Sequence, residues 1–386
     1  MKILIYAECF PGVGGIETSI GLLGEYLQQQ GDQMVVVAHR YGMDTAFTKR
    51  IGEAVACHYV PGGLKQDPEV GRQFLRSVIH EEKADLVLFL DSYARVELNL
   101  IGQPELGVPL IVSERSCPFN PHRSVSPPSL LQIYRDFRLR RYNKKVGRPD
   151  NRRLALYEAC SRYVLHSTRY FGEFRCLTSL QDIRKLRAIP NGLGLRPILA
   201  DENKQKRWPK TVLYLGSLNE HKGVHYLLQA WNRLVPDFPE WSLTVVGDGP
   251  LRHEHERFTR EQNLANVTFD GYQDDPLRYY ESASILAFPS VREGWGLSLV
   301  EAMSQGLVPV AFNSYSAVYD IIDDGVNGRL VPAFDVDAYE KGLRGLMTSP
   351  EKLRTMAVNA AKKTEAFSMD RVGGMWRNLF QEVLSL

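Results

Sequence analysis

The chain has 386 residues, 44% of them hydrophobic and 24% charged, and its net charge at neutral pH is +2. Such a composition belongs to soluble globular proteins of two or three domains and makes no global electrostatic case for nucleic acid. Five cysteines without C-x-x-C or metal-type spacing suggest free thiols in a reducing cytosol. No apolar run approaches the about 18 residues of a membrane span, and Met1–Glu8 is too short and too soon charged for a signal peptide.

Taken in order, apolar runs alternate with amphipathic stretches, the pattern of βαβ units around a parallel sheet. Lys2–Tyr6 reads as a strand, Pro11-Gly-Val-Gly-Gly15 as a loop, and Ile16–Gln30 as a helix ended by Gly31. The glycine loop is not the dinucleotide fingerprint, because Glu17 and Thr18 stand where a third glycine is needed. A tight strand-to-helix turn and a phosphate-binding loop are both open for it. Met34–Ala38 is the next strand, Glu69–Glu82 a helix, and Asp85–Leu90 and Pro109–Ser113 further strands. Ser113-Glu-Arg-Ser116 then follows a strand at the carboxyl end, where doubly wound sheets place ligands. A bidentate arginine such as Arg115 suits a phosphate or carboxylate.

Residues 135–153 form a strong charge feature. Arg135, Arg138, Arg140, Arg141, Lys144, Lys145, Arg148, Arg152 and Arg153 stand against Asp136 and Asp150, a net of +7. A solvated helix face would explain the run. Its density and its neighbours Tyr134 and Phe137 equally suggest an anionic membrane surface or a lipid-pyrophosphate acceptor. After strand Tyr163–Leu165 and the turn Ile189-Pro-Asn-Gly192 comes the polar run Leu199–Lys210, read as a domain boundary.

The pattern then restarts. Strand Thr211–Leu215 leads to the turn Gly216–Gly223 and helix Val224–Leu234, strand Ser242–Val246 to helix Leu251–Gln262, and strand Val267–Phe269 to helix Asp275–Ser282. The strand Ile285–Pro289 opens the most informative stretch, Ser290–Gly306. Glu293-Gly-Trp-Gly296 is a loop, since paired glycines make regular structure costly. A helix start near Ser298 brings free amides and the positive end of a helix dipole to one place, which favours an anion. Ser298-x-x-Glu301 reads as a capping box, whereas Glu293 caps nothing. Asp335-Val-Asp337 reads as a helix start rather than a metal motif.

E-G-W-G-L-S-L-V-E-A-M resembles the E-x7-E signature of glycosyltransferase family 4, retaining enzymes of GT-B fold. G-S-L-N-E-H-K-G resembles the family's G-R-L-x-x-x-K-G, V-V-G-D-G-P and D-D-G-V-N-G-R-L-V are similar to further family stretches, and G-G-I-E to its first loop. The resemblance implies an α/β chain of two Rossmann-like domains with parallel sheets facing across a cleft. Residues 1–198 would bind the acceptor and 199–366 the donor, while an amphipathic helix from Phe367 to the C-terminus packs back on the first domain. It implies that Glu293 contacts the donor sugar and Glu301 the ribose. The loop Gly294, Trp295, Gly296, Leu297 would offer amides to the diphosphate, Lys222 would neutralise the leaving group, and Gly15 would approach it from the first domain. Glu293 and Lys222 are the implied catalytic residues.

Two departures stand out. Ser217 replaces the family's arginine, with Arg292 or His221 as possible substitutes, and Arg115 stands where many members carry a histidine. Arg115 is read as an acceptor contact, and Arg138, Arg140, Arg141, Lys144 and Lys145 as a membrane or acceptor patch. The resemblance implies no bound metal or other cofactor, a nucleotide-diphosphate sugar as donor, and a glycan or lipid-linked glycan as acceptor. The free thiols and the basic run at 135–153, rather than the resemblance, place the chain in the cytoplasm, peripheral to the membrane's inner face where the acceptor is lipid-linked. A sugar-nucleotide epimerase of GT-B fold and a catalytically silent membrane-associated scaffold are the alternatives.

Overall fold

The computed structural model of the chain describes residues 1–12, 14–42, 55–63, 68–91, 106–118, 150–198 and 208–386. Those residues form two units. One holds the described residues up to 118, those from 150 to 194 and the C-terminal 367–386; the other holds those from 195 to 366.

The first unit is built on seven parallel strands: β1 (Lys2–Cys9), β2 (Gln33–Arg40), β3 (Ala56–Tyr59), β4 (Leu86–Asp91), β5 (Leu110–Glu114), β6 (Arg162–Leu165) and β7 (Leu186–Ala188). They lie in the order β3-β2-β1-β4-β5-β6-β7. Strands covered on both faces read as continuous apolar runs, as Ile3–Ala7 and Val35–Ala38 do; all of these side chains are buried. Leading outward to both sides from β1 and β4, the order reverses there and opens a crevice at their carboxyl ends. The helix Met369–Leu384 belongs to this unit. Its Val372, Trp376, Leu379, Phe380 and Val383 complete the core around Ile3, Ile5, Leu23 and Leu88. The Phe367 carbonyl accepts from the Leu193 amide at 2.8 Å. Asp32, almost fully buried, binds both the N-terminal amine (2.7 Å) and Arg377 of that helix (2.8 Å).

The second unit has six parallel strands: β8 (Thr211–Leu215), β9 (Ser242–Val246), β10 (Val267–Gly271), β11 (Ile285–Phe288), β12 (Val308–Phe312) and β13 (Arg329–Val331). Their order is β10-β9-β8-β11-β12-β13, so the reversal falls between β8 and β11. Helix Val224–Leu234 buries Val224, Leu227, Leu228, Trp231 and Leu234 against that sheet.

The two sheets are thus the Rossmann-like pair that the sequence implied. The chain changes unit at Gly194–Leu195, four residues before the expected boundary. The cause is local hydrogen bonding, since the Arg196 carbonyl accepts from Gln305 Nε2 (3.0 Å) and the Ile198 amide donates to Ser304 (2.9 Å). The polar run at 199–207 lies outside the described residues. Asp335 caps the helix Val336–Met347 by accepting from the Ala338 amide at 2.9 Å, the helix start read for it. Among the described residues no helix is long and apolar enough to cross a membrane, and no group of three or more His, Cys, Asp or Glu could hold a metal.

Candidate functional site

Lys222 and Glu293 are 71 positions apart in sequence, yet they meet. Because β8 and β11 are neighbours in the sheet, the loops that leave their carboxyl ends run side by side. The Val291 amide donates to the His221 carbonyl at 2.9 Å and ties one loop to the other. Gly223 sits at φ +65°, and a Cβ there would lie 2.2 Å from the Pro289 carbonyl oxygen. Only glycine lets the two backbones approach so closely. On this frame Lys222 Nζ donates to Glu293 Oε1 at 2.5 Å, with the two side chains 25% and 13% exposed. The loop carboxylate that caps nothing therefore holds the lysine.

The rest of the loop is fixed from below. Ser314 Oγ donates to the Ser290 carbonyl (2.6 Å) and Tyr315 Oη to the Trp295 carbonyl (2.9 Å). Helix Leu297–Ser304 starts one residue earlier than expected, because Gly296, at φ +98°, occupies the cap position. The capping box is not formed. Ser298 lies inside the first turn rather than at the cap, and no side chain caps this helix. Glu301, freed of that duty, accepts a hydrogen bond from Tyr280 Oη at 2.9 Å, and burial raises its carboxyl pKa against the lowering effect of that bond. The amides of Leu297 and Ser298 precede any carbonyl that the helix can offer them, so they face outward as donors beside Gly296. The unit thereby gathers one cation, two carboxylates and a helix N-terminus at the carboxyl ends of β8 and β11, an arrangement suited to a polyol attached to a phosphate. Ser217 supplies no cation. Its carbonyl accepts from Tyr214 Oη (2.8 Å) and its hydroxyl from Asn219 Nδ2 (2.9 Å), while Arg292 is half-buried and His221 exposed.

Two expected residues belong to the first unit. Gly15 opens the helix Gly15–Gln29, exposed and with nothing within 4 Å of where a Cβ would stand. Arg115 is buried behind β5, where Nη1 donates to His166 Nδ1 and Asn191 Oδ1, both at 3.1 Å. The basic residues Arg138, Arg140, Arg141, Lys144 and Lys145 lie outside the described residues. One member of that charge run is corrected. Arg153 is buried, with Nε and Nη2 on Glu114 (3.0 and 2.6 Å) and Nη1 on Asp150 (2.7 Å), so it is a core ion pair and not part of a surface patch. Tyr280, Tyr315 and Asn191 were not singled out from sequence. Asn191 lies in the Pro-Asn-Gly turn that was read only as a turn.

Residues 13–195 match the family model described as Glycosyltransferase Family 4, and residues 196–364 that described as Glycosyl transferases group 1. An uncharacterized glycosyltransferase of Haemophilus influenzae is 32% identical over 171 residues, 44% of this chain and 48% of that protein. The O-antigen chain mannosyltransferase C of Escherichia coli is 26% identical over 231 residues, 57% of this chain and 60% of that protein. The chain thus aligns with roughly half the length of each of these relatives. The crystal structure of Anabaena HepE in complex with UDP and glucose superposes with a TM-score of 0.75 at 17% identity, covering 99% of this chain and 100% of that one. At that identity the likeness is one of fold.

Proposed function

We propose that this chain, which belongs to the glycosyltransferases built from a Family 4 domain and a group 1 domain, transfers a hexose-type sugar with retention from a nucleotide-diphosphate sugar to a glycan or lipid-linked glycan. The observation that carries the reading is the meeting of Lys222 and Glu293 at the switch point of the second sheet, on the loop that leads into the helix Leu297–Ser304. A departing nucleoside diphosphate gains negative charge as the glycosidic bond to phosphate breaks. Preorganised donors aimed at that charge lower the barrier. Lys222 and the helix amides are such donors. Glu293 then orients sugar hydroxyls and Glu301, held by Tyr280, the ribose. In this reading the departing phosphate assists attack on the same face of the sugar, and no residue forms a covalent intermediate.

The O-antigen mannosyltransferase among the relatives supports surface polysaccharide assembly as the setting. The run at 135–153 supports a cytoplasmic enzyme that works peripherally at an anionic membrane face. Incubation with a panel of radiolabelled UDP- and GDP-sugars tests the reading. One donor should release its nucleoside diphosphate slowly with water and faster with an acceptor glycan. Binding of every donor without release, or a free sugar whose yield ignores the acceptor, contradicts it.

A further inference from the structure

Arg115 stands in an electrostatic position that its neighbour Arg153 does not share. Both are buried at the carboxyl edge of the first sheet. Arg153 grips Glu114 with its Nε–Nη2 edge and reaches Asp150 with Nη1. Arg115 has only neutral acceptors on Nη1, His166 and Asn191, and a ring contact with Trp376 at 5.2 Å. Burial, reinforced by the charge of Arg115, holds the His166 pKa well below the ordinary value, so this imidazole supplies no counter-charge. The Nε of Arg115 is buried without a hydrogen bond, and among the described residues no carboxylate pairs with the guanidinium. Burial pushes its pKa down to about 9, which still leaves it charged at neutral pH. An uncompensated buried cation is costly to keep.

That cation lines a small, partly open pocket together with Ser19, Asn191, Leu90, Gly192 and Trp376. Leu90 is at the end of β4, Arg115 follows β5 and Asn191 follows β7. The pocket thus lies at the carboxyl ends of the strands, where sheets of this type take ligands. Its second polar group is oriented by the first. Arginine only donates, so the Asn191 amide oxygen must face Arg115, and that oxygen also accepts from Ser19 Oγ at 3.1 Å. The Nδ2 group of Asn191 is left as a further donor. The Ser19 hydroxyl already donates to the Gly15 carbonyl and to Asn191, so the donors left over are those of Arg115 and Asn191, one of them a cation, and these select an oxyanion rather than a neutral hydroxyl.

We infer that this pocket binds the anionic group of the acceptor, a phosphate or a carboxylate on its sugar or lipid-linked end, with Arg115 as the anchor. That the bound molecule is an acceptor rests on the glycosyl-transfer reading, whereas the anion site does not. The test is melting and calorimetric titration of the full chain at fixed ionic strength with inorganic phosphate, glucuronate, glucose, UDP and GDP. Phosphate and glucuronate should stabilise the protein and glucose should not. Arg115→Met should weaken both anions roughly 10-fold or more, the range of a lost charged hydrogen bond. Lys222→Ala should leave that stabilisation in place while weakening UDP or GDP. Equal anion binding by Arg115→Met, or none by the wild type, overturns the site. UDP or GDP weakened by Arg115→Met as strongly as the small anions assigns the pocket to the donor and overturns the acceptor reading. Should Arg115→Met not fold, Arg115→Lys keeps the charge but not the fork and should still lose several-fold, with unchanged binding as the refuting result. Surviving anion binding with no donor turnover would sink the glycosyl-transfer reading and leave the site standing.

Discussion

Replacing Glu293 by glutamine should have opposite effects on binding and on turnover. Lys222 Nζ is held by Glu293 at 2.5 Å, with the partners 25% and 13% exposed. A pair so placed lies between an exposed one and a buried one, so we take its net worth as about 1–2 kcal/mol. A diphosphate must draw the lysine away from that carboxylate or share it, and it must also tolerate the carboxylate's own charge. Glu293→Gln removes both obstacles and should tighten free UDP or GDP by roughly 5- to 30-fold. Lys222→Ala should weaken the same nucleotide by roughly 10-fold or more, because a charge-assisted bond is lost. Sugar release should fall on the order of 10²-fold in either variant, as for loss of one preorganised group. Isothermal titration of the wild type, both single variants and the double variant reads the effect, and in the Lys222→Ala background the gain from Glu293→Gln should shrink. Weaker nucleotide binding by Glu293→Gln, like that of Lys222→Ala, or an effect that is the same with and without the lysine, would refute this coupling.

Three further outcomes are expected. Arg153→Met strands the buried Glu114 carboxylate and should cost about 3–5 kcal/mol of stability, with much of it regained when Glu114→Gln is added, as thermal or denaturant melting would show. At Asp32 burial acts to raise the pKa, but the N-terminal amine and Arg377 outweigh it and hold the carboxyl below its ordinary 3.8. Its stabilisation is therefore present above pH 3.8 and lost as pH falls through the lower folded value, so acid melting curves of Asp32→Asn and wild type should differ near neutrality and converge in strong acid. Anionic liposomes should sediment the protein at low salt and release it at roughly 0.5 M, where screening shortens to a few ångströms. Glutamine at Arg138, Arg140, Arg141, Lys144 and Lys145 should abolish this without changing nucleotide affinity.

Much of the architecture was legible because parallel strands buried on both faces write themselves as runs such as Ile3–Ala7 and Val35–Ala38. The stretch around Glu293 and Glu301 was legible too, since paired glycines before an apolar helix leave few other readings. The partnerships were not. Lys222 meets Glu293 only because β8 and β11 are neighbours across a reversal of strand order, which no local pattern records. Glu301 was assigned to a cap on spacing alone. The positive φ of Gly296 moved the helix start and left Tyr280 as its partner. Arg153 was counted as surface charge because a charge run carries no mark of the one member that turns inward toward Glu114. Arg115 was visible as a departure at a strand end, but its lack of a counter-charge is a property of three-dimensional surroundings.

In the proposed reaction the second unit holds a nucleotide-diphosphate sugar on Lys222, Glu293 and Glu301 and transfers its sugar with retention. The most direct measurement is proton NMR of the reaction with the donor found active in the panel, recorded from the first turnovers. The anomer formed first should carry the donor's configuration, with nucleoside diphosphate released in equal amount and both signals nearly abolished in Glu293→Gln. An inverted first anomer contradicts retention. Undiminished release by Glu293→Gln removes the paired loops of β8 and β11 as the place where the chemistry happens.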